Sequence, residues 1–321
     1  MAKQAVTQAQ TLGQTTSPLK RFWINFKRCW QLHLMIILPL TYIILFEYWP
    51  MYGLQIAFRE FRAKAGVWGS EWIGLEQFIR FFDNYKWKDF VKNTITISTY
   101  QIVAGFPIPI VLALILHINE HAVLKKITQT VSYVPHFIST VVMVAIINQL
   151  FNPFGGLYGT IANMMGVDKV SDIRANSDAF YHLYVWTGIW QSMGWSAIMY
   201  VSALSAVPME LHEAAKIDGA TRLRRVFAVD LPAIMPTICI MLILRFGSIM
   251  SVGYEKVYLM QNDLNLTKSE VISTHVYKAG LANNKLSYGS AVGLMNSVIN
   301  TTMVLVVNWI TDRLSDGGGL F

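Results

Sequence analysis

The sequence predicts an all-α membrane protein with six transmembrane helices, and three observations predict it. Only 14% of the 321 residues are charged while 54% are hydrophobic, and the mean hydropathy is positive. A soluble domain carries about 25% charged residues, so nearly half of the expected charge is missing. The deficit is concentrated in apolar runs long enough to span a bilayer, which takes roughly 20 residues. Finally, a polar, partly basic stretch at 206–231 interrupts those runs and reads as a surface helix ended by a glycine.

The chain opens with a Gln/Thr/Ala-rich tail over 1–17, which has no apolar periodicity. Over 18–32 aromatics alternate with cations (Lys20, Arg21, Phe22, Trp23, Phe26, Lys27, Arg28, Trp30), the pattern of an amphipathic helix lying in the membrane interface. Spans are expected at 33–55, 93–117, 127–151, 180–205, 232–255 and 289–311, the last five forming a permeation core over 93–311, with a short tail at 312–321. Prolines 39, 107, 109, 135 and 236 do not veto these helices, because neighbouring helices can re-satisfy the freed backbone. The third and fourth spans are rich in Ser, Thr, Gln and Trp, as for helices that face other helices or a watery cavity. The basic cluster beside the first span places both termini in the cytoplasm by the positive-inside rule. The 206–231 loop is then cytoplasmic, and 56–92, 152–179 and 256–288 are external.

The net charge of +7 is read as basic residues at a membrane surface rather than as a nucleic-acid signature. Cys29 and Cys239 stand in different settings and form no disulfide or CxxC pattern. HExxH and GxSxG are absent, and His33, His117, His121, His136, His182, His212 and His275 are scattered, so an embedded enzyme is disfavoured. The acid relay or inverted repeats of a secondary transporter are not visible either.

Within the cytoplasmic loop, Pro208 suits the first turn of a helix. Glu210 and Glu213 stand near its positive end, and Gly219 is placed to end it in the left-handed conformation. Ala214 and Ala215 are small enough for a partner's groove to approach the backbone, with Glu213 and Asp218 available to its cations. An ordinary amphipathic connector has the same chemistry.

The order Glu213-Ala214-Ala215, three residues, Gly219, nine residues, Val229, one residue, Leu231-Pro232 resembles the EAA motif of ATP-binding-cassette importer permeases, with Val229 in place of the usual isoleucine. The six-span layout extends the similarity across most of the chain. The resemblance implies a type I importer fold in a bacterial cytoplasmic (inner) membrane. It implies that Glu213, Ala214, Ala215, Asp218, Gly219 and Arg222 belong to a coupling helix seated on an ATPase. The implied partners are a second homologous permease, two copies of the ATPase, an extracytoplasmic solute-binding protein, an oligosaccharide and membrane lipid. This chain is expected to bind no cofactor; ATP and Mg belong on the ATPase, in keeping with the absence of a GxxxxGK[ST] loop here.

Two charges fall inside the expected spans, Glu47 and Arg245, at matched depth. They suit an ion pair between helices, Glu47 at the outer headgroups, or an arginine facing the solute path. Counting from the EAA motif, positions resembling the sugar-facing sites of the carbohydrate-uptake branch fall at Gly188, Ser192, Trp195 and Arg245. Arginine stands where a small polar residue is expected for a neutral sugar, and a guanidinium suits bidentate carboxylate binding. The chain also resembles the larger membrane subunit of bacterial alginate oligosaccharide importers, which implies an acidic, uronate-containing solute. Related sugar permeases share the motifs, so a neutral oligosaccharide is the alternative. Trp186, Trp190 and Trp195 suit sugar stacking or helix packing, and Asn148, Gln149 and Gln191 suit hydroxyls or other helices.

Overall fold

A computed structural model describes residue 23 and residues 26–167 and 169–314. The expected tail 1–17 lies outside the described residues, as do 18–22, 24 and 25 of the interfacial helix and 315–321 of the C-terminal tail. The chain divides into two units, 1–55 and 56–321.

In the first unit, α1 (Trp30–Ile43) continues through a wide turn at Ile44–Tyr48 and a last turn at Trp49–Met51. Pro39 inside α1 leaves the helix unbroken.

The second unit is helical apart from one antiparallel hairpin, β1 (Arg59–Arg62) and β2 (Ser70–Trp72), paired Arg59 to Trp72 and Glu60 to Glu71. This hairpin lies within the expected external segment 56–92. Arg59 holds it together: its guanidinium lies 5.5 Å from the Trp68 ring and 5.3 Å from the Trp72 ring and donates to the Ser70 carbonyl at 2.8 Å. The helices that follow are α2 (Glu76–Phe82), α3 (Trp87–Gly105), α4 (Pro107–Ile118), α5 (Ala122–Tyr133), α6 (Thr140–Leu150), α7 (Leu157–Met164) and α8 (Ser177–Ser205). After these come α9 (Met209–Ile217), α10 (Leu231–Phe246), α11 (Tyr254–Met260) and α12 (Leu286–Leu314).

Four helical runs among the described residues are long and apolar enough to cross a membrane: Trp30–Phe58, Trp87–Ile118, Arg222–Phe246 and Leu286–Arg313. The expected third span is bent. Ala122–Phe137 and Thr140–Leu150 meet at a bend of 104°, and the count reaches five only if that pair is one span. The cause is local. Pro135 lacks the N–H that would continue α5, Ile138 is extended, and Ser139 caps α6 by accepting from Val142 N at 3.4 Å. The 29 residues of α8 extend about 43 Å at 1.5 Å each, but the helix is too polar to join the four. The fifth expected span is also shorter: α10 ends at Phe246 rather than at 255, and α11 is separate. Arg245 therefore stands in the last turn of its helix, where the dipole favours a cation, and not in the middle of a span.

The packing centres on α8. Phe180, Tyr184, Val185 and Ile189 join Ile97 of α3 and Val257 of α11 in one buried cluster. Further along, Ala197, Tyr200 and Leu204 join Ile110 and Ala113 of α4 and Ile234 of α10 in another. Gly194 allows the close crossing of α8 and α5, because a Cβ there would stand 2.1 Å from the Ser132 carbonyl oxygen. At the end of the unit remote from α9, Arg174 pairs with Asp172 at 2.6 Å and donates to the Asn148 carbonyl at 3.0 Å. Asn262 and Asn265 each donate to the Arg174 carbonyl at 3.0 Å. Asn93 reaches from α3 to the Thr267 and Glu270 carbonyls at 3.0 and 2.9 Å. That end is thus tied by hydrogen bonds, whereas the middle of the unit is apolar.

Candidate functional site

Two features of the second unit bear on function, a cavity in its middle and a loop at one end. The cavity, of about 560 Å³, runs along α8 between α3, α4 and α10. Phe106 and Pro109, at and beside the junction of α3 and α4, form part of one wall. Gly188, Ser192 and Trp195 line the cavity from α8 and Arg245 from α10, so the four candidate substrate positions share one cavity. Gln101, Phe106 and Met241 complete its character, mostly apolar with a few polar groups, as ligand pockets are.

Arg245 is exposed, and among the described residues no carboxylate lies within 4.0 Å of it. A second, smaller recess beside it is lined by Ser98, Gln101, Ser248 and Ser251, hydroxyls and an amide suited to solvate a bound anion. Trp195 is braced on one face by the His136 ring, 4.4 Å away and tilted by 6°. Ser192 donates to the Gly188 carbonyl of its own helix at 2.8 Å, which leaves its oxygen able to accept. Gln191 is committed elsewhere: it donates to the Ile138 carbonyl at 2.9 Å and holds the α5–α6 bend against α8. Trp186 donates to the Tyr100 hydroxyl at 2.8 Å, which also bonds His182 at 2.8 Å. Of the three tryptophans only Trp195 lines the cavity.

Lys256 was not singled out by the sequence reasoning, yet it reaches this region. From α11 its amine donates to the Tyr184 carbonyl at 3.2 Å and to Thr187 Oγ1 at 3.0 Å, and it lies 3.4 Å from where a Cβ on Gly188 would project. Burial pushes the amine down to about 8. No motif or spacing links residue 256 to residue 188; only the fold of α11 against α8 does.

The loop presents α9 on the surface. Its end is a complete Schellman motif: Gly219 N–H donates to the Lys216 carbonyl at 3.0 Å and Ala220 N–H to the Ala215 carbonyl at 2.9 Å, with Gly219 at φ +76°. Glu213, Ala214, Lys216, Ile217 and Asp218 are exposed and Ala215 is half-buried, while His212 alone in the helix is buried. Met209, Ile217, Leu223 and Phe227 add exposed apolar groups around the same loop, a surface suited to a partner protein. Arg222 does not point free: it pairs with Glu120, after α4, at 2.9 Å, and Thr221 caps the turn it begins. Glu47 lies in the first unit.

Comparison with known proteins gives this geometry a family. Residues 105–316 match the model of the binding-protein-dependent transport system inner membrane component. The chain is 38% identical over 299 residues, 93% of each chain, to the polygalacturonan/rhamnogalacturonan transport system permease protein YteP of Bacillus subtilis (strain 168). It is similar at 32% identity and a TM-score of 0.84 to a chain in the crystal structure of a bacterial ABC transporter involved in the import of the acidic polysaccharide alginate, covering 92% of this chain and 99% of that one. A second structure of a bacterial alginate ABC transporter, in complex with alginate pentasaccharide-bound periplasmic protein, matches at 31% identity and a TM-score of 0.84, covering 93% and 99%. The chain belongs to the family of binding-protein-dependent transport system inner membrane components, as a multi-pass, non-catalytic permease subunit of an ATP-binding-cassette importer.

Proposed function

We propose that this permease carries acidic oligosaccharides, uronate chains of the alginate or polygalacturonan kind, inward across the cytoplasmic membrane. The observation that carries the reading is Arg245, an exposed guanidinium without a protein carboxylate, at the wall of a cavity that also offers Gln101, Ser192 and the braced Trp195 ring. A guanidinium binds a carboxylate through two parallel N–H donors, the amide and hydroxyl suit sugar hydroxyls, and a flat indole suits a sugar face. Two similar proteins have names that specify alginate and polygalacturonan, both uronate polymers.

In this reading the bent α5–α6 pair and α8 supply the third and fourth of six crossings, both termini are cytoplasmic, and α9 with Glu213, Ala214, Ala215, Asp218 and Gly219 seats on one of two ATPase copies. A second permease completes the cavity. A loaded binding protein docks at the end remote from α9, where the hydrogen bonds around Arg174 keep the surface in one shape. ATP and Mg act on the ATPase; its closure draws the two loops together and opens the cavity outward, and hydrolysis resets it. The test is ATPase stimulation of the reconstituted complex by binding protein loaded with uronate or with neutral oligosaccharides of equal length. Greater stimulation by the uronate-loaded protein is expected. Equal stimulation would favour the neutral reading of the same permease.

A further inference from the structure

Beneath α9, on the side turned away from any docking partner, three side chains far apart in sequence converge. His117 ends α4, His212 sits within α9, and Asp230 directly precedes α10. His117 Nε2 lies 3.5 Å and His212 Nε2 3.4 Å from the same oxygen, Asp230 Oδ1, and one ligand atom from each residue lies within 4.8 Å of the others. Asp230 is 2% exposed and His212 8%. Both His212 Nε2 and Asp230 Oδ1 are buried without a hydrogen-bond partner.

Those separations are too long for charge-assisted hydrogen bonds, which run about 2.7–2.9 Å. They do match the edge of a metal coordination shell. Two ligand atoms about 2.0–2.1 Å from a zinc ion at the tetrahedral angle stand about 3.3–3.4 Å apart. A buried carboxylate oxygen that faces two imidazole nitrogens at these separations suits a cation shared among all three. The donor set, two imidazoles and one carboxylate, suits zinc and its first-row neighbours rather than magnesium or calcium.

We propose that His117, His212 and Asp230 bind one divalent transition-metal ion, zinc in the first instance, with water in the fourth position. The ion fastens α9 to the ends of α4 and α10, so that displacement of the docking helix is passed to two helices that wall the cavity. The site rests on this chain's geometry alone and holds whether the solute is acidic or neutral.

The test uses the assembled transporter carrying an affinity tag without histidines, stripped with a chelator and reloaded with Zn²⁺. Metal per permease chain is measured by plasma mass spectrometry, and affinity by competition with a chromophoric chelator. The expected result is one zinc retained per chain, a rise in melting temperature on reloading, and an X-ray absorption shell of nitrogen and oxygen at about 2.0–2.1 Å. His117→Gln and Asp230→Asn should each lower the affinity at least tenfold, and a loss of that size in one variant that assembles suffices. No saturable zinc in the wild-type complex would overturn the proposal and leave an acid–base cluster of protein groups alone. Unchanged affinity in both variants would overturn it equally, placing the ion elsewhere. Should neither variant assemble, the wild-type stoichiometry and the absorption shell decide, sulfur in that shell counting against the site.

Discussion

At the scale of single residues, Arg245 bears most directly on the cargo. It closes α10, favoured there by the helix dipole, and its guanidinium stands at the cavity wall among Ser98, Gln101 and Ser248. Arg245→Ser should weaken uptake of a uronate oligosaccharide roughly tenfold or more, the scale of a lost hydrogen bond to a charged group, and leave a neutral one less affected. Radiolabelled uptake into proteoliposomes measures both, and equal losses would count against carboxylate recognition. His275 offers a different measurement. Its ring stacks on Phe90 at 4.3 Å and bonds the Tyr288 hydroxyl at 2.8 Å. Burial holds its pKa below the usual histidine range, with Glu270 opposing the shift and Lys278 adding to it. The unfolded chain therefore takes up the proton first as pH falls, and stability declines below the ordinary histidine pKa of about 6.5 until the folded state titrates. Melting temperatures between pH 7.5 and 5.5 should fall less steeply in His275→Phe, which keeps the stacking; parallel curves would exclude His275 as the source.

At the scale of elements, α9 shows how a short surface helix is made to stop at a defined residue. Its last carbonyls are closed by Gly219 and Ala220 in a geometry that requires positive φ at Gly219. A Cβ there would meet nothing within 4 Å, so the cost of a side chain is conformational rather than steric crowding by neighbours. Gly219→Val imposes that cost, of about 1–2 kcal/mol for an L-residue in the left-handed region, and the strain is relieved by fraying the end of α9. ATP hydrolysis should then proceed without matching solute uptake, or the ATPase should fail to assemble; normal coupled transport would refute the docking role. The α5–α6 bend makes the complementary point. Composition alone reads 127–151 as one span, but Pro135 and the Ser139 cap turn the chain by 104°, and Gln191 of α8 then occupies the exposed Ile138 carbonyl. A polar residue that looked available for sugar hydroxyls is a brace.

At the scale of the second unit, an apolar middle and one hydrogen-bonded end around Arg174 suit a subunit whose Arg174 end keeps its shape while its middle opens. The sequence by itself determined the class and the exposed 206–231 loop. Apolar runs must leave water wherever the chain goes, and a helix start, stop and exposed motif are coded within about 20 adjacent residues, from Pro208 to Val229. It also marked Gly188, Ser192, Trp195 and Arg245, through resemblance rather than through any local physical signal. Only the tertiary structure decided that these four share a cavity with Gln101, and that Lys256 lies behind Gly188. It alone brought His117, His212 and Asp230 to one point. Those relations join α3, α8, α10 and α11, or α4, α9 and α10, across separations of up to 144 residues, from Gln101 to Arg245. Helix periodicity says which face of a segment is apolar, but not which other helix will lie against it.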